Sequence, residues 1–246
     1  MITASMNRDD FVHIYKKDLL KLTHFTNDKG NVLIKEMRKG FRKKCIACYD
    51  ITTNNATYKM ILRVEGKVVQ RRLFIIIPET KEYVCIPEIE TEHQPMDIYT
   101  VHCLKRIQER FLNQEYFDVN KCLVSYFNSN FPLIPIYCDG EDMVSVVKGG
   151  LLLQKIDETR NLIFAKTFVN FDMLGKAQRK AFEQVETIYE RYNGIEVKNY
   201  AEAWKCIKSL EMVDIDEEYI YQIYGEYFSH KRNVKKALNV SKGITE

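Results

Sequence analysis

Between Cys45 and Ile86 the sequence breaks into short β-branched and aromatic runs, and this stretch constrains the fold more than any other. The runs are Cys45–Tyr49, Tyr58–Val64, Val68–Ile77 and Tyr83–Ile86. Asn54-Asn55, Glu65-Gly66-Lys67 and Glu79-Thr80-Lys81-Glu82 supply turn chemistry between them. Runs this close in sequence pair antiparallel, since a parallel pair needs a long crossover. The expectation is an antiparallel meander.

The flanks change period. Asn7 with Asp10 can cap a helix, and Phe11, Ile14, Tyr15, Leu19 and Leu22 keep a helical repeat. Thr26-Asn27-Asp28-Lys29-Gly30 reads as the turn that ends it, with a second helix from Asn31 to about Lys39. Residues 1–7 read as a frayed or added start, with Met6 as a candidate natural first residue. Pro87 and Pro95 bracket an acidic connection, Glu88 to Glu92, which leads into a helix over Thr100–Leu112. A helix over Tyr116–Phe127 follows. Strands are expected at Leu133–Tyr137, Met143–Val147, Leu151–Lys155 and Leu162–Val169, with Gly149-Gly150 as hairpin loop or bulge. From Asp172 the pattern is helical: Leu174–Arg191, a helix opened by Asn199 and Glu202 that carries Trp204, and one from about Asp216 to His230. The fold class is therefore α+β: N-terminal helices, a β-meander, a central helix packed on antiparallel sheet, and a helical cap. The natural portions are 1–96, 97–171 and 172–246, an arrangement that also allows one compact domain.

Several function classes lose support. Net charge is +3, too small to announce a nucleic-acid binder without local clustering. No apolar run reaches about 18 residues, so no membrane span is expected. Seven cysteines without a secretory signal read as reduced thiols of a cytoplasmic protein. Cys45 and Cys48 have the spacing of half a zinc site, but on a strand they face opposite ways, so no metal is expected. There is no Walker loop, dinucleotide fingerprint, nucleophile elbow or zincin motif, and no cofactor is expected.

Two clusters carry what functional signal there is. Lys35, Arg38, Lys39, Arg42, Lys43 and Lys44 stand against one acid, Glu36. Such a run is a solvated face or a contact for a phosphate backbone. On the Thr100–Leu112 helix, His102, Arg106, Glu109 and Arg110 share one stripe while Cys103, Leu104, Ile107 and Phe111 share another. Arginines four apart repel, and either Glu109 or a bound anion would relieve them.

A helix with His102-x-x-x-Arg106-x-x-Glu109-Arg110, followed by strands ending in Lys166-Thr167, resembles the RelE/barnase-like ribonuclease-toxin superfamily over residues 97–170. The resemblance implies a metal-independent ribonuclease. His102 would be the acid/base, Arg106 and Arg110 the phosphate clamp, Glu109 an orienting group, and Lys166 or Thr167 the completing residue from the sheet. Imidazole can serve both proton transfers of RNA cleavage, and guanidinium grips phosphate bidentately. Two other readings stay open. One is a non-catalytic module holding RNA, another nucleic acid or an acidic protein partner on the same basic face. The other is a structural protein whose stripe is only salt-bridged surface.

Overall fold

The computed structural model describes residues 2–87, 95–127, 134–147 and 149–174. It divides into two units, Met1–Asn128 with Asp157–Lys166, and Ser129–Ile156 with Thr167–Glu246. The expected helices after Leu174, Trp204, and the acidic connection at 88–92 lie outside the described residues. The fold class is α+β, as the sequence indicates.

The first unit opens with α1 (Arg8–Lys39), capped by the expected pair, Asn7 and Asp10. The strands β1 (Lys44–Thr52), β2 (Thr57–Glu65), β3 (Val68–Ile76) and β4 (Tyr83–Ile86) form the expected antiparallel meander. A fifth strand, β5 (Met96–Tyr99), pairs antiparallel with β4. It also pairs parallel with the start of β9 (Leu162–Asn170), with Ile98 opposite Phe164, so the sheet is mixed. The sequence pattern does not reveal β5: four residues between a proline and a helix are too few to show a period. Two helices follow β5, α2 (Val101–Arg110) and α3 (Val119–Tyr126).

The turn expected at Thr26–Gly30 is not there, and α1 runs through it unbroken. Packing overrides the local preference. A Cβ on Gly30 would stand 3.1 Å from both Val69 methyl carbons, so the glycine lets helix and strand approach. Thr26 turns its hydroxyl back to donate to the Leu22 carbonyl at 2.8 Å. Residues 2–4 are not frayed either. Ile2 is buried in the core, and Ala4 accepts from Arg160 at 2.6 Å and donates to Glu79 at 3.2 Å.

Strand alternation sorts the first unit into two faces. One face carries Tyr58, Met60, Leu62, Leu73, Ile75, Val84 and Ile98, packed with Phe11, Leu22, Leu33 and Met37 of α1. The other carries Phe74 and Tyr99, against which Tyr126 and Phe127 stack edge-on or tilted. The thiols follow this division. Cys45 joins the α1 face, while Cys48 hydrogen-bonds Asn120 on α3 at 3.8 Å.

In the second unit β6 (Ile134–Asp139), β7 (Asp142–Val147) and β8 (Gly150–Asp157) pair antiparallel in sequence order. Gly150 opposes Val147 and opens β8, with Gly149 in the turn before it, so the glycines close a hairpin and do not form a bulge. The lack of a side chain on Gly150 is required, because a Cβ there would fall 2.2 Å from the Val169 carbonyl.

One polar contact pins α1 to the meander. Asp18 is buried and accepts from Thr53 Oγ1 at 2.7 Å, Asn55 Nδ2 at 2.7 Å and the Tyr58 hydroxyl at 2.8 Å. Burial alone would raise its pKa, but these three bonds outweigh it and hold the carboxyl below its ordinary value. Replacing it leaves the Asn55 amide and the Tyr58 hydroxyl without that acceptor, while Thr53 Oγ1 keeps the Ala56 carbonyl at 3.1 Å, so Asp18→Ala should cost about 3 kcal/mol by urea denaturation at neutral pH. The carboxylate's contribution is whole above the unfolded pKa, about 3.9, and is lost as pH falls through the depressed folded value. The difference between parent and variant should therefore shrink in acid.

Candidate functional site

Thr100 caps α2, accepting from the Cys103 N–H at 3.1 Å. Its hydroxyl also donates to the Ala165 carbonyl at 3.0 Å, which fastens the helix start to β9. Cys103, Leu104 and Ile107 are fully buried, as the apolar stripe requires. Gln108, on neither expected stripe, is buried too: its amide donates to the Tyr116 carbonyl and accepts from the Asp118 N–H. His102 is exposed on the opposite side. Arg106 donates to Glu109 at 2.6 Å, so the repulsion between Arg106 and Arg110 is relieved within the helix. An exposed pair of this spacing adds about 0.3–0.5 kcal/mol.

The Thr100 hydroxyl at the start of α2 also lies 3.5 Å from the Lys166 carbonyl. Lys166 shares its strand face with Phe164, and its ammonium lies 4.6 Å from that ring. Phe164 packs against the α1 core, whereas Phe127 at the end of α3 packs on the other face against Phe74 and Tyr99. Thr167, next in the strand, belongs to the second unit.

Sequence reasoning does not single out Asp97, which stands on β5 opposite Ile163 of β9. Burial lifts its carboxyl to about 7, against the lowering pull of Arg72. The Arg72 guanidinium itself lies 5.4 Å from the Phe127 ring. The neighbouring Tyr99 hydroxyl is pushed well up by burial and by the Asp97 charge. An acid at alternate position in Met-Asp-Ile-Tyr is the only signal the sequence offers.

The basic cluster converges more fully. Arg38 and Lys39 end α1, and Arg42 and Lys43 follow it, all four exposed. Among the described residues none of the four forms an ion pair. Lys35 is exposed one turn back, and Lys44 begins β1 beside Glu65 of β2. Glu65 is occupied: Arg63 donates to it at 2.6 Å, and Arg63 with Lys44 holds its carboxyl below the ordinary value. The Arg42 N–H returns to the Met37 carbonyl at 3.0 Å and the Phe41 N–H to Arg38 at 3.3 Å. This is the Schellman closure, which puts its left-handed residue just past the cap. That residue is Phe41, with φ +50° and 97% exposure. Glycine is usual there, and a side chain in that conformation costs about 1 kcal/mol.

Among the described residues no group of three or more His, Cys, Asp or Glu is placed to hold a metal. No helix among them is long and apolar enough to cross a membrane. Compared with protein-family models, curated proteins and solved structures, the chain matches none.

The Asp97 carboxyl yields a pH test. A raised folded pKa means that the group stabilises the fold fully only below its unfolded pKa, and that this is lost as pH rises through the folded value. The stabilisation by Asp97→Asn should therefore grow from about pH 4 to about 7 and level off above, measured as Tm across that range.

Proposed function

We propose that this protein is a non-catalytic nucleic-acid-binding module that uses the basic end of α1. The observation that carries this is the set Arg38, Lys39, Arg42 and Lys43: four exposed cations on six consecutive residues, none of them in an ion pair among the described residues, with Glu36 as the one acid in the run. Helix electrostatics explains two of them, since cations in the last turn offset the negative end of the helix dipole. It does not explain Arg42 and Lys43, which lie past the helix. A row of exposed cations at one end of an elongated element suits a phosphate backbone, whose neutralisation releases counterions. The α2 stripe supports binding less well, because Arg106 is already held by Glu109.

A second reading, metal-independent cleavage of RNA, rests on the exposed His102 beside Arg106. One assay separates the two. In EDTA the parent should bind RNA and leave it intact, with His102→Ala and Arg106→Ala binding as the parent does. Replacing Arg38, Lys39, Arg42 and Lys43 together by Gln should abolish most binding at low salt. It should also flatten the slope of log K against log salt by about 3, at roughly 0.7 for each single-strand phosphate that the protein no longer neutralises. Unchanged binding by that variant would overturn the proposal. RNA cut by the parent and spared by His102→Ala would establish the nuclease instead.

A further inference from the structure

We infer that Phe41 is a stacking platform for an unpaired base, so that the ligand of this end of the chain is single-stranded nucleic acid. The inference rests on the nucleic-acid reading above and narrows it to one strand form. Phe41 contradicts what the fold alone would select. It occupies the left-handed position of the helix closure, where glycine is free of strain. Its ring is 97% exposed and so adds nothing to the core. Strain held at an exposed aromatic is the pattern of a side chain presented to a ligand.

Its surroundings say which ligand. Arg38 and Lys39 precede it, and Arg42 and Lys43 follow it. The β2–β3 turn is at the same end of the sheet, since Lys44 pairs with Glu65, and it adds exposed Lys67 and half-exposed Val68. The acids nearby are Glu36 on α1 and Glu65, the latter engaged by Arg63. An apolar face flanked on both sides by cations matches a base flanked by its phosphates. In a duplex the bases are already stacked and offer no free face to a ring on a turn, whereas an unpaired base does. A lipid surface would require more apolar area than one phenylalanine and one valine present.

The test is fluorescence anisotropy with the full chain, using a labelled oligo-uridine 12-mer, a 12-base-pair duplex and vesicles rich in phosphatidylserine. The parent should prefer the single strand. Phe41→Gly should melt higher than the parent, because the strain is gone, and bind the single strand about tenfold more weakly. Phe41→Trp should restore parent affinity at the parent's salt slope. Phe41→Gly with undiminished single-strand affinity would overturn the inference while leaving the basic end as the binding site. Binding of single strand and duplex alike would do the same. Binding to vesicles alone, or to nothing, would overturn the nucleic-acid reading as well.

Discussion

The close approach of α1 to β3 at Gly30 and Val69 is the contact on which the rest of the first unit depends. A larger residue would crowd the Val69 methyls, and a helix that ended at Gly30 would lack the last α1 residues of the core. Because α1 continues, Leu33 and Met37 reach the core beyond the glycine. The helix then ends beside the first residue of β1, with its last cations at one extremity of the sheet. Asp18 fixes the same helix nearer its start, through donors from the β1–β2 turn and β2. An apolar close contact and a buried carboxylate thus set the line of the helix, and its direction decides where Phe41 is presented.

How much of this could be read from the chain depends on the range of the forces involved. The four strands of the meander are local objects, and alternation plus turn residues locates each within a few residues. The unbroken α1 is not local. Thr26-Asn27-Asp28-Lys29-Gly30 has the composition of a turn, and only the approach of Val69, far along the chain, gives the glycine a packing reason inside a helix. β5 is hidden for the same reason: its partner β9 lies on the other side of two helices in sequence.

The candidate sites divide along the same line. The amphipathic stripe of α2 follows from helical period alone, and so does the pairing of Arg106 with Glu109. The likeness to a ribonuclease site needs a residue from the sheet as well, and strand alternation sends Lys166 to the α1 side with Phe164. The cations from Lys35 to Lys44 are plain in the sequence, but Phe41 among them reads as an ordinary apolar residue. Only the backbone hand and the exposure of its ring distinguish it. Asp97 is silent for a related reason, since its raised pKa comes from burial on a strand whose neighbour β9 the sequence does not bring beside it.

Photocrosslinking tests the account most directly. The full chain would be irradiated with an oligonucleotide carrying 5-iodouridine, and the adduct located by mass spectrometry after digestion. An adduct on Phe41 or its immediate neighbours is the result expected if the end of α1 is the binding surface. An adduct confined to residues 102–110, with residues 35–44 unmodified, would contradict the account and return the function to the face of α2.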